Sequence, residues 1–136
     1  MKGILTIEIN NLTTSKVDEE FLKKVAKTVL KGENKKEAML SVVLVVERRI
    51  KELNKKYRGK NKATDVLSFG EGLNEIVICY SEVKKNAKRY NSTFKKELTQ
   101  VLIHGILHLL GYEHEKGEKE AKKMEKKQEY YLSQII

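Results

Sequence analysis

The stretch HGILHLLGYEH, residues 104–114, holds all three histidines of the 136-residue chain. His104 and His108 are four residues apart in a segment, LTQVLIHGILHLL, that is apolar on almost every side. This spacing predicts a largely buried helix with both imidazoles one turn apart on the same face, where they can share a ligand. Gly111 ends a helix readily because it tolerates a left-handed conformation, and a turn there lets His114 approach the other two.

Three neutral imidazoles that converge and leave coordination positions open are typical of a catalytic zinc site, whereas a structural zinc site usually has a fourth protein ligand. A single histidine on such a helix is more often a hydrogen-bonded core residue. Here the spacing H-x-x-x-H-x-x-G-x-x-H matches the zinc-binding pattern of the metzincin peptidases. Metzincins carry a glutamate after the first histidine as general base, but this chain has Gly105, which accepts no proton. The pattern therefore predicts a metal and argues against peptidase chemistry.

The length and charge of the chain limit its organisation and its partners. The 136 residues suit one ordinary domain, so we expect a single domain over residues 1–136. Lys and Arg number 28 against 19 Asp and Glu, which gives a net charge of +9. Such a surface attracts polyanions, so RNA or DNA is the first candidate partner, with anionic lipid as another.

The cellular location is predicted from the N-terminal residues and from the single cysteine. MKGILTIEIN has too few apolar residues before the polar NNLTTSK for a signal peptide or a membrane helix. Cys79 cannot form an internal disulfide and is expected to be a small buried residue in a reducing compartment. We therefore expect a cytoplasmic protein with no membrane partner.

Hydrophobic periodicity predicts an α+β fold with a small mixed β-sheet of about four strands packed with about five helices. Short runs rich in β-branched and apolar residues predict the strands, at residues 4–9, 38–46, 66–69 and 75–79. Helical spacing predicts the helices, at residues 17–32, 47–58, 82–90, 94–110 and 117–136. Ser81 is the expected N-cap of the third helix, and Ser92 or Thr93 that of the fourth. The last helix is expected to face inward through its apolar positions, Ala121, Met124 and Leu132.

Two segments of the chain resemble the YbeY family of bacterial rRNA maturation endoribonucleases. HGILHLLGYEH is similar to the family signature H-G-x-L-H-L-x-G-Y-[DE]-H at every fixed position. Upstream, NKKYRGKNKATDVLSF (residues 54–69) resembles the family's N-x-x-[YF]-R-G-x-x-x-x-T-D-V-L-S-F segment. The similarity covers most of the chain from about Val42 onward, whereas the first forty residues are generic.

The resemblance implies a single-strand-specific, zinc-dependent endoribonuclease. Members of the family act in maturation of the 3′ end of 16S rRNA and in ribosome quality control, so the implied partners are single-stranded rRNA precursors and the small ribosomal subunit, not DNA. The implied cofactor is one Zn²⁺ per chain, held by His104, His108 and His114, although three histidines also accept nickel or copper. Arg58 is the implied catalytic residue, because its planar guanidinium can bind two phosphoryl oxygens at once. Without the resemblance, Arg58 is an ordinary surface arginine in a basic loop.

The residues around these motifs have less specific interpretations. Glu113 stands where the family more often has aspartate, which keeps a carboxylate within reach of a histidine ring N–H. Gly70 stands where the family usually has proline, so only a local turn differs. Tyr112 suits either packing under the metal or stacking on a base. Thr64 and Asp65 are expected to fix the turn before the VLSF strand. The lysines that flank Arg58 are expected to be solvated; they are Lys55, Lys56, Lys60 and Lys62.

Three functions from different classes therefore remain. The first is the metal-dependent endoribonuclease, and the second is a zinc metallopeptidase or other zinc hydrolase that uses the same ligands. The third is an RNA-binding ribosome-assembly factor whose metal is structural. Gly105 argues against the second, and a turnover measurement separates the first from the third.

Overall fold

The computed structural model describes residues 4–70 and 74–136, and of His114 it describes the backbone alone. The described residues form four strands, five α-helices and one 3-10 helix, which confirms the α+β prediction. In chain order these elements are β1 (Leu5–Asn11), α1 (Glu19–Gly32), β2 (Ala38–Val45), α2 (Glu47–Arg58), β3 (Val66–Phe69), β4 (Glu75–Cys79), α3 (Tyr80–Arg89), α4 (Phe94–Leu109), the 3-10 helix (His114–Lys116) and α5 (Glu118–Ile135).

The four strands form one mixed sheet in the order β1-β2-β4-β3. β1, β2 and β4 are parallel to one another, and β3 runs antiparallel to β4. Val77 of β4 lies between Val43 of β2 and Leu67 of β3, and this row faces the apolar cluster that contains Ile50 of α2. The next row along β4 is centred on Ile76 and belongs to the larger core on the opposite face of the sheet. The central strands are nearly all apolar because both of their faces are covered.

Helix α4 packs on the larger core and carries two of the three histidines. Thr93 begins it as N-cap, since its hydroxyl accepts a hydrogen bond of 3.1 Å from the backbone N–H of Lys96. The helix ends at Leu109, and Gly111 follows with a φ of +101°, the left-handed region predicted for the turn. The expected break after the histidine helix is therefore confirmed.

The predicted cap of α3 is wrong. Cys79 is the N-cap of this helix, and its backbone N–H still donates a strand-type hydrogen bond of 2.8 Å to the carbonyl of Asp65. Because β4 passes directly into α3 without a loop, Ser81 lies inside the first helical turn, with its Oγ 3.4 Å from Sγ of Cys79. Cys79 itself is fully buried, as predicted.

Helix α5 covers the same core from the side of α1 and α4. Met124 is buried as predicted, and Tyr131, which the sequence pattern did not identify, is the other buried residue of the helix. Within residues 4–70 and 74–136, none of the helices combines the length and the apolar character that crossing a membrane requires.

Candidate active site

A cleft of about 1030 Å³ opens where β3, α4 and the end of α2 meet. It brings together residues that are far apart in the sequence, and it is referred to from here on as the cleft. The histidines of α4 line one wall, and Arg58 lies at the end of α2 on another. The predicted residues Arg58, His104 and His108 therefore share one surface.

His104 and His108 lie one turn apart on the face of α4 that borders the cleft. Both are half-buried, and their ring centroids are 5.6 Å apart at an interplanar angle of 77°. The third predicted ligand, His114, begins the 3-10 helix that follows the Gly111 turn, and its side chain lies outside the described residues. Among the side chains that are described, no three His, Cys, Asp or Glu residues form a metal-binding group.

The hydrogen-bonding of His104 fits a metal ligand. Its Nδ1 lies 2.6 Å from Oε1 of Gln128, a half-buried residue of α5. When the amide oxygen accepts a hydrogen bond from Nδ1–H, the lone pair of the imidazole is on Nε2, which is the atom that a metal binds. The sequence suggested a supporting role of this kind for Glu113, whose carboxylate lies 3.7 Å from Nζ of Lys116. Gln128 was not foreseen, because it is 24 residues from its partner.

Gly105 lies where α4 approaches the sheet most closely. A Cβ built on this glycine would be 3.1 Å from Cγ2 of Ile76 and 3.3 Å from Oγ of Ser68. The Ser68 hydroxyl also donates a hydrogen bond of 3.2 Å to the Gly105 carbonyl. A glutamate, the residue that a metzincin has here, would place a long side chain where even a Cβ is in tight contact, so Ile76 or Ser68 would have to shift to admit it.

Arg58 is held at the cleft by the end of α2. Gly59 follows it in a left-handed conformation with φ of +68°, which ends the helix. Tyr57 packs edge-on against Phe69 of β3 with ring centroids 5.1 Å apart. Asn54, buried in the same helix, donates a hydrogen bond of 2.9 Å to the carbonyl of Lys62. The backbone on both sides of Arg58 is therefore anchored while its side chain is exposed.

Carboxylates line much of the remaining wall of the cleft, at Asp65, Glu97, Glu113 and Glu115. Burial raises the pKa of Glu97, and the nearby negative charge of Asp65 raises it further. Sequence reasoning missed Glu97, since a single glutamate in the first turn of a helix is usually only a favourable partner of the helix dipole.

A second set of contacts fixes the segment between α4 and the 3-10 helix. The Tyr112 hydroxyl donates a hydrogen bond of 2.5 Å to Oε1 of Glu33, at the C-terminal end of α1, and the Tyr131 hydroxyl donates to Oε2. Nζ of Lys127 lies 3.2 Å from Oε2. We call these four residues the Glu33 cluster. The sequence left the role of Tyr112 open, and the structure gives this residue a structural contact through its hydrogen bond to Glu33.

The Glu33 cluster has perturbed acid–base properties. Burial by itself would raise the pKa of Glu33, but hydrogen bonds from Tyr112, Tyr131 and Lys127 outweigh it and hold the pKa below the ordinary 4.5. Burial and the hydrogen bond to Glu33 raise the pKa of Tyr112 to about 12, and the same two causes raise that of Tyr131. The carboxylate and both phenols therefore keep their ordinary ionisation states over a wide range of pH.

Comparisons with known proteins give one consistent result. The family model described as Endoribonuclease YbeY matches residues 8–136. An Endoribonuclease YbeY from Thermotoga neapolitana is 50% identical over 98 residues, which is 70% of this chain and 66% of that protein. Another from Petrotoga mobilis is 40% identical over 134 residues, covering 94% of this chain and 93% of the relative. The solution structure of a Thermotoga maritima protein matches with a TM-score of 0.68 and 36% identity, over 97% of this chain and 89% of that one.

Proposed function

The chain belongs to the endoribonuclease YbeY family, and from this membership we propose that it cleaves single-stranded rRNA precursors by metal-assisted hydrolysis. Membership makes it an enzyme, a hydrolase that acts on RNA. The finer proposal is that it acts at the 3′ end of 16S rRNA, in the cytoplasm and with the small ribosomal subunit. The observation that supports it best is that Arg58 lines the same cleft as His104 and His108.

The proposed metal ligands are His104, His108 and His114. Zinc suits three imidazoles, and nickel or copper can take its place. When bound, such an ion lowers the pKa of water to about 7 and polarises a phosphoryl oxygen, so it supplies the nucleophile that Gly105 cannot help to generate. Gln128 holds the ring of His104 in the orientation and tautomer that a ligand needs, through the 2.6 Å contact with Nδ1.

Arg58 is proposed to bind the phosphoryl oxygens of the bond that is cleaved. Attack on a phosphodiester builds negative charge on these oxygens, and a guanidinium can donate two parallel hydrogen bonds to them. The packing of Tyr57 on Phe69 holds the backbone of this end of α2 beside the cleft, from which the exposed side chain of Arg58 can reach a bound phosphate. Gly105 cannot serve as a general base, so the chain lacks at this position the group that peptide hydrolysis in metzincins uses.

Single-turnover cleavage of a single-stranded RNA tests the proposal. Arg58→Ala should slow cleavage by roughly two to three orders of magnitude and leave bound metal unchanged, because one transition-state contact is lost. Arg58→Lys should recover part of the rate, since a point charge cannot make the two-pronged contact. Arg48→Ala is the matched control, because Arg48 lies on the same helix, is exposed and does not line the cleft.

The other outcomes distinguish the alternatives. His108→Ala should lose both metal and cleavage, and metal content is measured by elemental analysis. Duplex RNA and a peptide, offered in parallel, should not be cleaved. Equal cleavage rates in wild type and in Arg58→Ala would exclude Arg58 from the mechanism. If wild type bound metal and RNA but showed no turnover above His108→Ala, an assembly factor with a structural metal would replace the proposal.

A further inference from the structure

A basic groove runs between α1 and α5, beside the Glu33 cluster. It has a volume of about 560 Å³, and Lys123, Lys126 and Lys127 of α5 line it. Among the residues that the structure describes, none that lines this groove is acidic. We call it the α1–α5 groove.

The floor of this groove is closely packed. Gly32 of α1 faces the ring of Tyr131 so closely that an added Cβ would lie 2.8 Å from Cζ. The Tyr131 hydroxyl is in turn bound to the buried carboxylate of Glu33. Tyr130 stands on this floor with 55% of its surface exposed, and its ring packs edge-on against Tyr131 with centroids 5.2 Å apart. An exposed aromatic ring on a fixed support is suited to stacking with an unpaired base.

The lysines of the groove differ in how they are engaged. Lys127 is paired with Glu33, and Nζ of Lys123 lies 5.7 Å from the centroid of the Tyr112 ring. In the described part of the chain, neither Lys123 nor Lys126 forms an ion pair. On α1, Lys24 and Lys31 are exposed one turn to either side of Thr28, which lines the groove, and so they extend its positive face.

The cleft has the opposite electrostatic character. Among the side chains described there, its wall carries four carboxylates, of which Asp65 and Glu97 are close enough to affect each other, against one guanidinium, that of Arg58. The metal proposed for the cleft would offset part of this negative charge, whereas the exposed lysines of the groove can neutralise phosphates directly, and such contacts supply most of the sequence-independent affinity of nucleic-acid binding. The two surfaces lie on different sides of the same helix, because Gln128 lines the cleft and Lys127 lines the groove.

We propose that the α1–α5 groove binds the backbone of single-stranded RNA outside the segment that occupies the cleft, with Lys123 and Lys126 on phosphates and Tyr130 under a base. The identity of the polymer rests on the proposed function. The charge of the groove, its exposed aromatic ring and its position across α5 from the cleft support the assignment.

RNA binding is measured by fluorescence anisotropy in chelator, so that no cleavage occurs. Lys123→Gln combined with Lys126→Gln should weaken binding of an RNA of about 20 nucleotides roughly tenfold to thirtyfold at about 0.1 M salt, and should lower the salt slope by about 1.4, as loss of two single-strand phosphate contacts requires. Tyr130→Ala should weaken it about fivefold or more, since one stacked base is lost. An RNA of about 4 nucleotides, short enough to fill the cleft alone, should bind both variants like wild type.

The matched control is Lys84→Gln combined with Lys88→Gln, which removes the same charge from exposed positions of α3. If this control weakened RNA binding equally, the loss of affinity would be due to net charge alone and the inference would be overturned. Wild-type affinity in the groove variants would overturn it as well. Loss of binding to vesicles of phosphatidylserine without loss of RNA binding would assign the groove to a membrane and overturn it as well. Because binding is measured without metal, a wild type that fails to cleave RNA would refute the proposed function and leave this test intact.

Discussion

Replacement of Glu33 by glutamine is the sharpest test of how the site is held together. The carboxylate has only 9% of its side-chain surface exposed, and it accepts hydrogen bonds from Tyr112 and Tyr131 while pairing with Lys127. Glutamine keeps the shape of the side chain but offers one oxygen acceptor and an amide donor. One of the two phenols must therefore face a donor, and the buried charge is lost.

The contacts set the expected magnitude. A hydrogen bond to a charged group is worth about 1.5–3 kcal/mol, and leaving a buried donor unsatisfied costs about as much. The Lys127 pair adds little, since that side chain is 40% exposed and a pair so solvated contributes about 0–1 kcal/mol. Glu33→Gln should therefore lower the free energy of unfolding by about 2–4 kcal/mol, which corresponds to a fall in Tm of about 8–16 °C for a domain of this size.

Urea unfolding followed by far-UV circular dichroism measures this loss, because the chain has no tryptophan to report by fluorescence. Chelator in every sample keeps metal binding out of the comparison. Glu125→Gln is the control, an exposed carboxylate of α5 with the same change of charge. If Glu33→Gln were within about 0.5 kcal/mol of that control, the carboxylate would not hold α1, Tyr112 and α5 together.

The same pair of proteins should differ in acid. The lowered pKa of Glu33 means that its contribution is complete above the ordinary value of 4.5 and is lost as the pH falls through the folded-state pKa. The difference in free energy of unfolding between wild type and Glu33→Gln should therefore shrink as the pH falls below about 4.5, the unperturbed carboxyl pKa. An advantage that persisted unchanged into strong acid would contradict the assigned pKa.

Three further changes have defined outcomes. Gly105→Ala should fail to gain the roughly 1 kcal/mol that alanine normally adds inside a helix, because its Cβ would press on Ile76 at 3.1 Å; a full gain in urea unfolding would refute the close packing. The pKa of Tyr112 is raised from 10.0 to about 12, so this residue contributes stability that is complete below pH 10 and is lost as the pH rises from 10 to 12; Tyr112→Phe should therefore flatten the unfolding profile over that window, and an unchanged slope would contradict the shift. Gln128→Ala should weaken zinc binding about 10- to 100-fold in a chelator competition, as loss of a residue that orients a ligand does, and an unaltered affinity would remove Gln128 from the metal site.

Local pattern was sufficient for the elements that carry the chemistry. Short runs rich in β-branched and apolar residues predicted all four strands within a few residues of their observed bounds. The spacing of His104 and His108 predicted one helical face, because side chains four residues apart lie together wherever the backbone is helical. The cap of α4 was predicted as Ser92 or Thr93 for an equally local reason, and Thr93 is the one observed. Ser81 is not the predicted cap of α3, because nothing in the neighbouring sequence shows that a strand enters that helix directly.

The supporting residues could not be predicted, because their roles arise from contacts between distant parts of the chain. Gln128 meets His104 across 24 residues, and Glu33 meets Tyr112 across 79. A glutamate at the end of an amphipathic helix is normally solvated. Only the folded structure shows that the side chain of Glu33 is largely buried and accepts hydrogen bonds from two phenols. Glu97 is similar, since its burial in the cleft depends on where α4 lies relative to β3.

The Glu33 cluster also has a consequence for the order of folding. It joins α1 to Tyr131, 98 residues further along the chain, so it closes one of the longest loops in the molecule. Loops of that length close after local helices and neighbouring strands have formed, because their entropy must be overcome before the contact is gained. Since α5 follows α4 in the chain, we expect the contact of Tyr131 with Glu33 to form after α4 has been synthesised. Gln128 lies on the same helix as Tyr131, so the contact that orients His104 is expected to form in the same step as the Glu33 cluster.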